Sequence, residues 1–243
     1  MEKLSRAWPA EFIATFALIF IGAGAVIMAT DALGGDLLGV AIAHGLTLAI
    51  MVTAIGHISG GHVNPAVTIG LWVTGKVESA RAIVYIVAEV AGAIAGAFVL
   101  SLVVPEALWK KAMLGTPQVN HAAGMSNANA VAMEAVLTFF LVFAVYATAV
   151  DEKGTAFKLA GFPIGLVLTF DILVGGPLTG AAMNPARSFG PALVSGTWTD
   201  WWVYWVGPIA GGVLAGLAYW WLFLRSRDKS AEGLNVQQEA AKS

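Results

Sequence analysis

Six stretches of the chain are apolar almost without a break: Trp8–Ala29, Leu37–Ile58, Ala80–Val104, Ala128–Ala149, Leu159–Gly175 and Trp201–Leu224. A helix rises about 1.5 Å per residue, and crossing the hydrocarbon core of a bilayer takes about 20 apolar residues. The pattern therefore predicts six membrane-spanning helices. The first stretch is too long for the apolar region of a secretory leader and no convincing small-residue cleavage site follows it, so it reads as a span. Two further apolar segments, Val63–Thr74 and Met183–Ser195, run for only about a dozen residues, too short to cross. They are expected to enter the membrane and turn back. The predicted fold class is an all-α membrane protein of six transmembrane helices plus two re-entrant half-helices.

Composition agrees. Hydrophobic residues make up 58% of the 243 and charged residues 12%, against about a quarter charged in soluble domains. That balance excludes a soluble domain and a disordered chain. There is no cysteine, hence no disulfide framework and no thiolate metal or redox site. Net charge is −2 with scattered cations, which disfavours a nucleic-acid partner. Six spans put both ends on one side. Lys3, Arg6, Lys76, Arg81, Lys153, Lys158, Arg225, Arg227, Lys229 and Lys242 then share that side, and only Lys110 and Lys111 lie opposite. This bias predicts that both termini are cytoplasmic. Trp198, Trp201, Trp202 and Trp205 gather at the outer start of the sixth span, as an interfacial belt would.

The chain repeats itself. Glu11-x3-Thr15-Phe16-x-Leu18-x-Phe20 is echoed by Glu134-x3-Thr138-Phe139-x-Leu141-x-Phe143, and Gly60-Gly-His-Val-Asn64-Pro65-Ala66 by Gly180-Ala-Ala-Met-Asn184-Pro185-Ala186 at a shift of 120. Gly92-x3-Gly96 and Gly212-x3-Gly216 match at the same shift. Each half holds three spans, so the second enters from the opposite face. Inverted repeats of this kind build sites near the bilayer midplane. The expected organisation is a single domain over 1–243, with halves at about 8–104 and 128–224 and a polar tail at 225–243. The two glycine pairs let spans three and six pack closely within one subunit.

Proline is favoured at the first helical position, and asparagine before it is a good cap. Asn64-Pro65-Ala66 and Asn184-Pro185-Ala186 thus each read as a helix start. Two half-helices entering from opposite faces aim two positive ends and two side-chain amides at one central spot. A neutral oxygen is held there and a cation repelled.

With both motifs in view, the sequence resembles the aquaporin family (major intrinsic proteins) from about Trp8 to Leu224. The resemblance rests on Ser59-Gly-Gly-His62-Val-Asn64-Pro-Ala-Val-Thr68 and Met183-Asn-Pro-Ala-Arg187-Ser188-Phe-Gly190-Pro191. It implies one pore per subunit, a homotetramer in the lipid bilayer, and passive flow of water or small neutral solutes, with no cofactor, no metal and no catalytic residue. It also implies an outer filter made of His44, Ile172, Ala181 and Arg187. This set is similar to the filters of plant tonoplast intrinsic (vacuolar) aquaporins. It lacks the aromatic and the histidine that strict water channels carry at the positions of His44 and Ile172. A wider filter that also passes ammonia, urea or glycerol is expected. Ser188 stands where glycerol facilitators have Asp, and Ala192, Tyr204 and Trp205 match the water-channel side of the family.

Remaining polar residues receive mainly structural readings. Glu11 and Glu134 are expected to accept hydrogen bonds from the backbones of the re-entrant loops. Backbone carbonyls of Gly60, Gly61, His62, Gly180, Ala181 and Ala182 are expected to form a polar ladder along the pore, opposite an apolar wall. His57 and His62 flank the inner turn, and His62 anchors the loop or lines the inner vestibule. Glu89 stands where the family usually has Gln and carries no functional account. Asp171 is expected to face an interhelical water or a neighbouring subunit rather than the pore. His121, in the long outer loop, is a candidate fifth filter residue. Competing classes are a pore-closed structural or adhesive protein of the same fold, an ion channel, which Arg187 and the doubled helix ends disfavour, and a membrane enzyme, for which no nucleophile–base spacing appears. The cell membrane is the expected location.

Overall fold

The computed structural model describes residues 4–29, 34–155 and 161–226. Lys3, Lys158, Arg227, Lys229 and Lys242 of the charge comparison, Leu159 at the predicted start of span five, and the tail beyond Ser226 lie outside the described residues. The helices are α1 (Leu4–Met28), α2 (Leu37–Ser59), α3 (Pro65–Val73), α4 (Ser79–Val103), α5 (Glu106–Lys111), α6 (Asn127–Val145), α7 (Glu152–Thr155), α8 (Gly161–Thr179), α9 (Pro185–Ser195) and α10 (Val203–Tyr219). A π-helical turn extends α6 over Tyr146–Val150 and another extends α10 over Trp220–Leu224. No strand occurs among the described residues. Six of the helices are long and apolar enough to cross a membrane.

Most span boundaries fall close to the predicted ones, but α8 runs four residues past Gly175, through Gly176 and Pro177 to Thr179. Gly-Gly-Pro looks like a breaker in sequence. Here Gly175 packs against the Leu137 side chain of α6, and the Thr179 hydroxyl donates to Glu134 at 2.7 Å. Tertiary packing overrides the local signal.

The two short segments are helices of nine and eleven residues, or about 14 and 17 Å at 1.5 Å per residue. Each spans roughly half of a hydrocarbon core. Both begin as the motifs require. Asn64 Oδ1 accepts from Ala66 N at 2.8 Å, and Asn184 Oδ1 from Ala186 N at 2.9 Å and Arg187 N at 3.2 Å.

Packing is crosswise. Half-helix α3 lies against α10, half-helix α9 lies against α4, and the central pair α2 and α8 close on each other. Without a hydrophobic drive between helices in lipid, such contacts depend on close backbone approach. A Cβ on Gly212 would stand 2.6 Å from Ala66 O, one on Gly216 2.7 Å from Gly70 O, and one on Gly96 2.7 Å from Phe16 O. The glycine pair of span three therefore seats α1, and that of span six seats α3. Gly45 and Gly165, also 120 apart, meet where α2 crosses α8: a Cβ on Gly45 would sit 2.5 Å from Gly165 O.

Candidate permeation pathway

Three cavities follow one another through the middle of the molecule. A central cavity of ≈ 450 Å³ is lined by His44, Gly61, His62, Asn64, Ala181, Ala182, Asn184 and Arg187 on its polar side. Leu18, Leu48, Val52, Val67, Leu141, Val145, Ile164 and Leu168 form its apolar wall. His44 and Arg187 also line an outer cavity of ≈ 1000 Å³, together with Ile172 and Gly180. His62 and Val145 also line an inner cavity of ≈ 970 Å³, together with Gly60. Shared lining residues join the three, and the middle one has less than half the volume of either neighbour.

At its centre the two half-helices meet. Asn64 Nδ2 donates to Met183 O at 2.8 Å and Asn184 Nδ2 to Val63 O at 2.9 Å. Each amide is locked by a carbonyl of the opposite loop and keeps its second N–H. The loops leading in share a left-handed pattern. Gly60, Gly61 and Val63 have φ of 102°, 68° and 56°; Gly180, Ala181 and Met183 have 82°, 45° and 51°. Positive φ costs about 1–3 kcal/mol at a non-glycine residue and persists only where surroundings over-determine it. Two buried carboxylates do so here. Glu11 accepts from His62 N at 3.0 Å and Val63 N at 2.7 Å. Glu134 accepts from Ala182 N at 3.0 Å, Met183 N at 2.7 Å and the Thr179 hydroxyl. Backbone N–H groups are thus drawn away from the cavity that Gly61, His62, Ala181 and Ala182 line. Tyr85 OH donates to Ser59 O and Tyr204 OH to Thr179 O, each at 2.8 Å, pinning the two loop starts alike.

Where the central and outer cavities join, Arg187 Nη1 donates to Gly115 O at 2.7 Å, and Nη2 lies 3.4 Å from His44 Nε2. His44 Nδ1 is 2.9 Å from Val40 O. A carbonyl only accepts, so Nδ1 carries the proton and neutral His44 offers Nε2 as an acceptor to Arg187. A Cβ on Gly22 would fall 2.5 Å from the His44 ring, so glycine there is what admits the imidazole. Ala181 and Ile172 complete the junction from the central and outer sides. All four filter candidates are brought together. Gly115 was not foreseen: it belongs to a loop whose sequence carries no signal that it dips toward Arg187.

His121 stands elsewhere than expected, whereas Asp171, as expected, is absent from the lining of the three cavities. His121 Nε2 pairs with Asp200 Oδ2 at 2.7 Å and its Nδ1 with Met125 O at 2.8 Å. It lines none of the three cavities; Pro117 and Gln118 of its loop line the outer one instead. The Asp200 hydrogen bond, which favours the imidazolium, raises the His121 pKa above its ordinary value. Asp171 is 2% exposed in the single chain, so it is turned into the helix packing and does not face a neighbouring subunit.

The family profile described as Major intrinsic protein matches residues 1–219. The chain belongs to the major intrinsic protein family. Aquaporin TIP4-4 of Zea mays is 48% identical over 226 residues, covering 90% of this chain and 87% of that protein. Aquaporin TIP2-1 of Arabidopsis thaliana is 42% identical over 230 residues, covering 92% and 89%. Among solved structures, the aquaglyceroporin from Plasmodium falciparum superposes with TM-score 0.80 at 26% identity, covering 93% of this chain and 99% of that one. As a major intrinsic protein the chain is an integral, multi-pass membrane channel of the class that conducts water and small solutes, not an enzyme. The TIP names of the plant relatives do not sit with the expected cell membrane.

Proposed function

We propose that residues 1–243 form one channel domain that passes water and small neutral solutes passively and excludes protons and other ions. Inverted halves at 8–104 and 128–224 each contribute one Asn-Pro-Ala turn. The observation that carries this reading is the meeting of the Asn64 and Asn184 amides at a narrow cavity that shares lining residues with an outer and an inner cavity. Their free N–H groups orient the oxygen of a passing molecule. The carbonyls of Gly60, Gly61, His62, Gly180 and Ala182 accept hydrogen bonds from it in turn. A cation meets two positive helix ends and then Arg187, and no carboxylate is among the residues that line the central cavity to compensate.

The junction of His44, Ile172, Ala181 and Arg187 acts as the filter. Ile172 offers no donor or acceptor and Ala181 little bulk, so ammonia, urea or glycerol pass as well as water. A homotetramer with cytoplasmic termini is part of the same reading. It rests on the resemblance and on the charge bias.

Stopped-flow light scattering on proteoliposomes under water, ammonia, urea and glycerol gradients tests this. Osmotic swelling well above that of empty vesicles is expected. Swelling no faster than theirs means a closed pore and a structural role. In the double variant His44→Phe, Ile172→His, urea and glycerol flux should fall by about tenfold, the scale of a pocket-shape change of about 1–3 kcal/mol. Water flux should persist. Identical solute flux in the variant removes the filter assignment.

A further inference from the structure

Glu89 is fully buried in α4, and nothing in the permeation mechanism uses it. Its Oε1 lies 2.7 Å from Thr68 Oγ1, and the same Thr68 oxygen lies 2.8 Å from His62 Nδ1. Glu89 Oε2 makes no hydrogen bond. At the other end of the chain, His62 lines both the central and inner cavities, with Nε2 on the side of Gly60. A path of two hydrogen bonds thus leads from the permeation pathway to a buried carboxyl group and stops there.

The path is not a requirement of the fold. At the repeat shift of 120, Ala182, Ser188 and Ile209 replace His62, Thr68 and Glu89. Ser188 simply donates back to Pro185 O at 2.9 Å, and the outer half-helix forms all the same.

We propose that Glu89 is a positioning residue which, through Thr68, sets the hydrogen-bond role that His62 Nε2 presents to permeating molecules, storing one proton taken from the pathway as it does so. This rests on reading the cavities as a permeation pathway. The logic is one of donors and acceptors. Thr68 has a single hydroxyl proton. An ionised Glu89 only accepts, so Thr68 donates to Oε1, His62 donates from Nδ1–H to Thr68, and Nε2 is left as an acceptor. A neutral Glu89 holds its proton on Oε1, where Thr68 can receive it. Thr68 then donates to a bare Nδ1, and His62 presents Nε2–H as a donor.

One proton converts the first state into the second. It joins Nε2 from the cavity, the Nδ1 proton moves to Thr68, and the Thr68 proton moves to Oε1. No heavy-atom bond changes and no proton is left over. Because Oε2 leads nowhere, the path stores a proton without carrying it across the membrane.

The charged and titratable groups around the path are Glu11 from α1, engaged with His62 N and Val63 N, and Tyr85 and Arg81 from α4. Lys76 and Glu78 line the inner cavity, and Arg187 of α9 is turned outward to Gly115. The hydrogen bonds of the Glu11 carboxylate, the Tyr85 hydroxyl and the Arg187 guanidinium run to His62 N, Val63 N, Ser59 O, Gly115 O and His44 rather than to Glu89 or Thr68.

Nitrogen-15 histidine solid-state NMR of the full chain in lipid vesicles reads the tautomer directly, with His62 assigned by its loss in His62→Asn. As pH falls, His62 should cross from the Nδ1–H to the Nε2–H form. Glu89→Gln, which cannot titrate, and Thr68→Val should abolish the crossing; Thr68→Ser should restore it. An infrared pH-difference spectrum needs no variant, and a protonated carboxyl band should rise with the same midpoint in the wild-type protein. A tautomer fixed across pH, direct conversion to the imidazolium, a crossing unchanged in Glu89→Gln, or no carboxyl band at that midpoint would each overturn the inference. Osmotic swelling of the same vesicles separates the two readings. Swelling with a fixed tautomer removes only the proton path, whereas absence of swelling removes the pathway on which both depend.

Discussion

The inner and outer re-entrant halves share a skeleton and differ in chemistry. Each has an Asn-capped half-helix, a loop with three left-handed residues, a buried glutamate that collects loop N–H groups, and a tyrosine that pins the loop start. The side chains that face the cavity diverge. Where the inner half has Val67, the outer has Arg187; where the inner has His62, the outer has Ala182. What is duplicated is the set of contacts that keeps irregular backbone satisfied inside a membrane, where unpaired N–H groups are costly. What is not duplicated is the set of side chains that, under the proposed function, decides which molecules pass. Under the proposed function one cation, on one side, suffices to close the pathway to ions, while a second would only add desolvation cost.

The contrast is broken most severely at the glutamates. Glutamine keeps one acceptor oxygen and turns a donor toward the remaining N–H groups. Glu134→Gln strands up to two of its three donors and Glu11→Gln one of its two. At about 1–3 kcal/mol per stranded buried donor, both variants should unfold earlier in detergent melts, Glu134→Gln more so. Equal melting of both would mean the two loops are not held by these carboxylates.

Arg187→Val makes the outer half imitate the inner at Val67. It frees Gly115 O and removes the cation barrier. Proton or small-cation leakage through proteoliposomes should rise by about tenfold or more, equivalent to ~1.4 kcal/mol of barrier. Unchanged leakage would shift the whole barrier to the helix ends.

The smallest effect concerns the outer loop that carries Gly115. Because its folded pKa is raised by Asp200, the His121–Asp200 ion pair contributes fully below the unfolded histidine pKa and is lost as pH rises through the raised value. Nuclear magnetic resonance of His121 should therefore show a midpoint above that of a free histidine. Asp200→Asn should bring it down. A midpoint unaffected by that substitution dissociates the pair.

The half-helices and their caps were legible because the signals are local: apolar length, Asn before Pro, and a repeat that shows through both halves. The filter quartet could be named from the resemblance, yet its geometry could not. Nothing near His44 in the chain says that Gly22 of another helix makes room for its ring, and Gly115 reaches Arg187 across 72 residues. The end of α8 was misjudged because Gly-Gly-Pro is a breaker in water, whereas here Leu137 and Glu134 hold the last turn. His121 was only a candidate for the filter, and its loop folds so that Asp200 captures it.

From the sequence alone come the six crossings, the two half-length entries and their inversion, since hydrophobic length and helix capping act over a few neighbouring residues. Only the tertiary structure joins Thr68 to Glu89 and His62, turns Asp171 inward and locks each asparagine amide onto the opposite loop. Those contacts depend on where separate helices come to rest against one another, and in a bilayer that is settled by close packing between surfaces that no single segment encodes.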